Sequence, residues 1–363
     1  MSLTMKSMKV READNFAVIR LVAAITVVYG HSFPLTGSGN IAVFGNSIEA
    51  LAVKVFFVVS GYLITESWIL DPSILRYFLK RALRIFPALT VVVVVTAVIL
   101  GPAMTTLPIG EYFDNPSFLH YFSNIYLFPI YNLPGVFAKN IYPIAVNGSL
   151  WSLPVEFSMY IIVPILLAFR RGKKYIVSCA TLLVSIASLY ILRGAGAKDS
   201  TDIIIFGTSL HSALDVAPFF LIGATLRSVT PWVRPNLQIA ALMAVVALLV
   251  PPNAFYPELA LYVVLPYAVI AFAMAKPARF AFVERIGDLS YGTYLFGFPV
   301  QQIVIQLFGT AHHPLRTFAL ALPPTLLCAY ASWHVIERRF MALKPRRRPE
   351  VRAAVQEGEL QTL

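Results

Sequence analysis

Apolar residues run through this chain in blocks too long and too uniform for a soluble core. Read in windows of about 20 residues, the length an α-helix needs to cross a hydrocarbon layer of roughly 30 Å, ten blocks stand out. They lie near 15–35, 46–67, 85–107, 149–169, 175–193, 204–226, 236–251, 257–275, 287–309 and 315–340. Each predicts a transmembrane helix, because only a helix satisfies every backbone N–H and C=O within one segment where water is absent. His211 and Asp215 interrupt the sixth block. No cleavable signal peptide is predicted, since the first block leads into a close series of others.

Composition sharpens this picture. Of 363 residues 58% are apolar and 13% charged, against about a quarter charged in soluble chains. Cys179 and Cys328 each sit inside an apolar run, which excludes a disulfide framework and a Cys-based zinc site. No metal or nucleotide-hydrolysis motif is present, so no metal is expected. The formal charge of +11 does not point to nucleic acid, because the basic residues do not gather on one water-facing surface. Instead they fall in alternate gaps between blocks. The exceptions among the 29 are Lys139, Arg193, Lys198 and Arg316 in the other gaps and Arg20 and Lys54 inside blocks. The positive-inside rule then puts both termini in the cytoplasm. The expected fold is an all-α membrane protein of about ten transmembrane helices, with residues 1–341 forming one integral membrane domain. Residues 342–363 form a basic, disordered cytoplasmic tail. No internal repeat on the scale of a transporter is apparent.

Ionisable groups inside the spans are costly and therefore candidates for function. Arg20 and His31 are eleven residues apart in the first span. At 100° per residue they share a face, separated by a rise of about 16 Å. Lys54 and Glu156 come out about 10 to 12 Å below the outer ends of their spans, in the same outer half as His31. Glu156 could orient His31 as a base, or simply neutralise Lys54. His211 and Asp215, four apart on one helical face, form a rival acid–base pair. Lys80, Arg81 and Arg84 stand before Pro87; they read either as positive-inside anchors or as a phosphate site. Glu337 lies at a depth similar to Arg20 and could pair with Arg20, Arg81 or Arg84. The long outer gap 108–148 carries Tyr112, Phe113, Tyr121, Phe122, Tyr126, Tyr131 and Tyr142, either an interfacial aromatic belt or a stacking surface for a sugar.

These residues occur in a recognisable order. Arg20 and His31 are followed by Phe56-Phe57-Val58-Val59-Ser60-Gly61-Tyr62-Leu63-Ile64, Arg81-Ala82-Leu83-Arg84-Ile85-Phe86-Pro87 and Leu150-Trp151-Ser152-Leu153-Pro154-Val155-Glu156-Phe157. Then come Leu289-Ser290-Tyr291-Gly292-Thr293-Tyr294-Leu295 and Ile336-Glu337-Arg338. Over essentially its whole length the chain resembles the acyltransferase-3 family of integral membrane acyltransferases, which O-acylate bacterial surface glycans. The resemblance implies acyl-CoA, most often acetyl-CoA, as a cytoplasmic donor and no permanently bound cofactor. It implies a glycan or lipid-linked sugar acceptor on the outer side of a bacterial inner membrane. It makes His31 the catalytic residue, with Glu156 tuning it, and gives Arg20, Lys80, Arg81, Arg84, Ser60, Tyr294 and Glu337 to the donor site. Two positions depart from many relatives: Gly297 replaces a histidine and Lys54 an aspartate. The competing expectation is a proton-coupled transporter or flippase with a relay through His31, Lys54, Glu156 and Asp215.

Overall fold

The computed structural model describes residues 14–143, 145–168, 173–194, 203–229, 235–249, 256–276, 280 and 282–345. A helix occupies each of the ten apolar blocks: α1 (Phe16–Leu35), α2 (Ile48–Leu70), α3 (Ile74–Met104), α4 (Ser152–Leu167) and α5 (Lys173–Gly194), then α6 (Leu210–Val229), α7 (Leu237–Leu248), α8 (Tyr256–Met274), α9 (Ser290–Phe308) and α10 (Pro314–Ala342). Seven of these, α1 to α6 and α10, are long and apolar enough to cross a membrane, counting the short Gly148–Trp151 lead-in with α4; α7 and part of α8 are shorter apolar helices. Helix α9 is a core element, with Gln301 and Gln302 fully buried. Their amides donate to the carbonyls of Val28, Tyr142 and Ala145, which tolerates polar groups in an apolar interior. The expected tail beyond Pro345 lies outside the described residues.

Helix α3 begins about three turns before its apolar block. Arg76, Lys80 and Arg84 follow one another at four-residue spacing and so share one helical face, while Tyr77 and Ile85 are buried on another. A buried carboxylate anchors this start. Asp71 accepts two bonds from Arg76 Nε at 3.1 Å, one from Arg76 Nη2 at 2.5 Å and one from Lys80 Nζ at 2.7 Å. Further along, a π-helical turn at Thr96–Leu100 widens the helix and frees a carbonyl. The Tyr112 hydroxyl donates to that of Ala97 at 2.7 Å. Tyr112 and Tyr121 are fully buried, so these two belong to neither an aromatic belt nor a sugar surface; they are core.

The only sheet among the described residues is a pair of two-residue hairpins, β1–β2 (Ala42–Val43, Asn46–Ser47) before α2 and β3–β4 (Ile204–Ile205, Thr208–Ser209) before α6. Both turn on Phe-Gly with both residues at positive φ: Phe44 and Gly45 at 50° and 74°, Phe206 and Gly207 at 50° and 73°. A two-residue turn with that conformation at both positions matches the natural twist of a hairpin. The register is the same in both, and so is the following bond, Ile48 N–H to Ile41 O and Leu210 N–H to Ile203 O. Phe44-Gly45, Ser47, Phe57 and Gly61 recur 162 positions on as Phe206-Gly207, Ser209, Phe219 and Gly223. The two hairpin–helix units therefore form a short internal repeat, which was not apparent from the sequence.

The repeat packs against itself. A Cβ on Gly61 would overlap the carbonyl oxygen of Phe220, and a Cβ on Gly223 that of Val58. Each glycine thus admits the other helix's backbone at the equivalent place. From Lys54–Asp215 through this crossing to Glu66–Arg227, contacts proceed in the same chain direction, so α2 and α6 run parallel. Small residues at a crossing allow such close approach, and dispersion contacts supply the attraction.

Two outcomes are expected. Gly61→Ala should destabilise by about 1–3 kcal/mol, overriding the ~1 kcal/mol that alanine otherwise gains in a helix. Gly110→Ala, helical and with no neighbour within 4 Å, should be neutral or stabilising; equal thermal melting of the two variants in detergent would refute the crossing. Secondly, Arg76 and then Lys80 hold the Asp71 carboxyl down to about 2. A depressed carboxyl stabilises the fold above its unfolded value near 4 and loses that contribution as pH falls through about 2. Melting temperature should therefore fall less steeply over that range in Asp71→Asn than in the unsubstituted protein.

Candidate active site

Helices α1, α2, α3, α4 and α9 and the end of α10 enclose a cavity of about 890 Å³. Its lining changes character along its length. One end is basic, with Arg20, Lys80, Arg81, Arg84 and Lys344; a polar middle holds Ser60, Glu156 and Tyr160; the far end is formed by Val53, Phe56, Ser152 and Tyr294.

The basic end is built around two carboxylates. Asp288, just before α9, takes Arg20 Nη2 at 3.1 Å and Arg84 Nη2 at 2.7 Å, while Glu337 takes Arg84 Nη1 at 3.1 Å. Glu337 is 2% exposed and also accepts from Ser332 at 3.0 Å. Two cations against two anions remove most of the cost of placing charge in a poorly solvated site. Tyr291 and Trp333 flank the Arg84 guanidinium at 5.4 and 6.0 Å, a favourable place for a delocalised cation. Of the pairings open to Glu337, the one made is with Arg84. Lys80 is bound to Asp71. Arg81 has no carboxylate within ion-pair distance among the described residues; it reaches Ser67 Oγ at 3.4 Å and lies over the Tyr77 and Tyr160 rings.

In the polar middle, Glu156 Oε1 accepts from Ser60 at 2.8 Å and Tyr160 at 2.6 Å. At the far end the Tyr294 hydroxyl donates to the Ser149 carbonyl at 2.7 Å. That uses its only proton, so Ser152 donates to Tyr294 across the 2.5 Å contact. Phe56 meets the Tyr294 ring edge to face at 5.9 Å.

His31 stands beyond that end and is not part of the cavity wall. Its ring packs at 76° on Phe298, centroids 5.2 Å apart, and its buried Nδ1 has no hydrogen-bond partner. Two helices give the gap. Phe298 lies one turn past Tyr294 on α9, and the Gly30 backbone abuts Glu49, one turn past Val53 on α2. Four residues rise about 6 Å, so a layer about that thick, containing Phe56, Tyr294 and Phe298, separates His31 from the cavity.

The structure therefore places Arg20, Ser60, Lys80, Arg81, Arg84, Glu156 and Tyr294 on one cavity, with Glu337 behind Arg84. It does not join Glu156 to His31, nor Glu156 to Lys54. Lys54 is 2% exposed and donates to Asp215 at 2.5 Å and to Asn46 at 2.7 Å. Both alternatives fail for one reason: depth along a helix says nothing about which neighbour a side chain faces. The same pair takes Asp215 away from a simple His211–Asp215 couple, and the relay through His31, Lys54, Glu156 and Asp215 is not assembled. Sequence reasoning missed Asp288, Asp71, Tyr160 and Lys344. Asp288 had a signal, as an acid directly before the Leu289-Ser290-Tyr291 stretch that the motif begins with.

Removing the shared anion tests the network. Asp288→Asn should lower stability by about 1–3 kcal/mol, the cost of leaving charged donors short of an acceptor. Exposed Asp114→Asn should leave melting unchanged, and identical behaviour of the two would mean that the Arg20–Asp288–Arg84 contacts contribute nothing.

Comparison with known proteins places the chain in a family. The acyltransferase domain model matches residues 14–334. Over 335 residues the chain is 30% identical to an O-acetyl transferase of Shigella phage Sf6, covering 91% of this chain and 96% of the relative. It is 28% identical to nodulation protein 10 of Rhizobium leguminosarum bv. viciae, covering 91% and 94%. It is 26% identical to the peptidoglycan O-acetyltransferase OatA of Listeria monocytogenes, covering 79% of this chain and 50% of that protein. No solved structure gives a significant match. With the family model spanning nearly all of a helical chain rich in long apolar helices, the protein belongs to the acyltransferase-3 family of multi-pass membrane acyltransferases.

Proposed function

We propose that this protein transfers an acyl group, in the first instance acetyl, from cytoplasmic acyl-CoA to a hydroxyl of a surface glycan or glycolipid. The acceptor stands on the outer side of a bacterial inner membrane. The observation that carries this reading is the cavity, basic at one end and stopping about one helical turn short of His31, whose buried Nδ1 has no hydrogen-bond partner among the described residues. The relatives named as O-acetyltransferases support the same chemistry.

In this reading the basic end faces the cytoplasm, with both termini there, and receives the phosphates of the donor through Arg81, Arg84 and Arg20. Planar guanidinium forks suit phosphate oxygens. The Asp288 and Glu337 carboxylates hold two of those forks in place. The pantetheine arm then runs past Ser60, Glu156 and Tyr160 toward Tyr294. The Phe56–Tyr294–Phe298 layer must part for the thioester to meet His31. A neutral imidazole takes the proton from the acceptor hydroxyl as its oxygen attacks the thioester carbonyl. The C–S bond breaks, and the departing thiolate takes a proton to leave as free CoA. In the two-step variant the imidazole nitrogen attacks the thioester carbonyl, the C–S bond breaks and CoA leaves as its thiol; the acceptor hydroxyl then attacks the acyl-imidazole, the C–N bond breaks and the hydroxyl proton ends on the released imidazole. Either route moves only the acyl group between the two sides. Glu156 acts on the arm within the cavity and reaches His31 only if the layer opens.

The test is mass spectrometry of surface glycans with and without the gene, looking for an added acyl mass. His31→Ala should reduce transfer about 10²–10⁴-fold, the range for losing a positioned base, with protein still folded in the membrane. Glu156→Gln should lower turnover and shift its pH profile. Acylation at the normal rate in His31→Ala would refute the assignment.

A further inference from the structure

The cations at the basic end are not equivalent. Arg20 and Arg84 share Asp288 and Glu337, and Lys80 shares Asp71 with Arg76. Glu66, also on the wall, lies 3.8 Å from Arg227. Two cations are left over. Arg81 makes no ion pair, and neither does Lys344 among the described residues, although both line the cavity. Lys344 arrives from outside the bundle: α10 ends at Ala342, and Met341, Lys344 and Pro345 fold over the cavity's basic end. A segment that merely trailed into solvent after α10 would not add Lys344 and Pro345 to that wall.

We propose that Lys344 is a phosphate-binding residue of this site, closing it from the α10 side and acting with Arg81 on the same anion. The proposal rests on the donor reading above and deepens it, naming the two cavity-lining cations that no carboxylate pairs among the described residues. The charged groups around this end of the cavity are Arg20 on α1, Glu66 on α2, Lys80, Arg81 and Arg84 on α3, Glu156 on α4, Asp288 before α9 and Glu337 on α10. Burial first, then Arg81 and Arg84, push the Lys344 ammonium down to about 7. A bound phosphate offsets those cations and favours the protonated form, so binding takes up a proton. Occupancy is then favoured as pH falls through 7.

The experiment measures binding of CoA to the purified full-length protein in neutral detergent between pH 6 and 8.5, then repeats it in nanodiscs containing phosphatidylglycerol. Lys344→Ala should weaken CoA binding about tenfold, in line with a charged hydrogen bond. The unsubstituted protein should bind less tightly as pH rises. Lys344→Arg, charged throughout, should keep the affinity and lose most of that slope, which a residue needed only for packing would not produce. CoA bound equally by the unsubstituted protein and Lys344→Ala, with the same slope, would overturn the proposal and leave the donor reading standing. No CoA binding by the unsubstituted protein would overturn both. An effect of Lys344→Ala seen only with phosphatidylglycerol would assign the pair to a lipid headgroup instead, and so overturn it as a donor contact.

Discussion

Two of the three guanidiniums in this poorly solvated cavity stand beside an anion, and the site depends on that pairing. Asp288 accepts from Arg20 and Arg84, and Glu337 accepts from Arg84 again. The network ties α1, α3, α10 and the start of α9 at one level, so the helices that form the cavity are set by the charges that face it. It also decides which cations stay available. Matching most of them internally leaves Arg81 and Lys344 without a carboxylate partner among the described residues, the pair proposed above to take an anionic guest.

The helices were legible because an apolar run of the right length has few alternatives once water is excluded. The start of α3 was not, since Arg76, Lys80 and Arg84 lower the hydropathy of a segment whose other face is buried. Arg20 could be picked out by its cost inside an apolar span, and Arg81 and Arg84 as a basic cluster before Pro87; the three line one cavity, with Glu337 behind Arg84. Partner choice was beyond reach. Lys54 and Glu156 were placed at one depth, yet they face different neighbours, Asp215 for one and the Ser60 and Tyr160 hydroxyls for the other. The direction a side chain takes around a helix bundle depends on crossing angles and register, and periodicity within one segment cannot supply them.

The hairpin–helix repeat was hidden for a related reason. Its shared features are a turn conformation and two close-packed glycines, which need only a few common residues. Physical equivalence does not extend to chemistry. The position matching Ser60 in the second unit is Ile222, and the polar cavity belongs to the α2 side. One copy serves as scaffold while its twin also carries the polar groups that face the cavity.

The aromatic layer beyond Tyr294 has an electrical consequence. A cavity open to solvent at one end brings that side's potential deep into the protein, so a transmembrane voltage would fall mainly across the thin remaining barrier. Moving a unit charge through 100 mV costs about 2.3 kcal/mol, whereas a neutral acyl group crosses without doing electrical work. In the transfer proposed above, the Phe56, Tyr294 and Phe298 rings between the basic vestibule and His31 would act as an insulator that passes uncharged cargo and keeps protons from leaking along the same path.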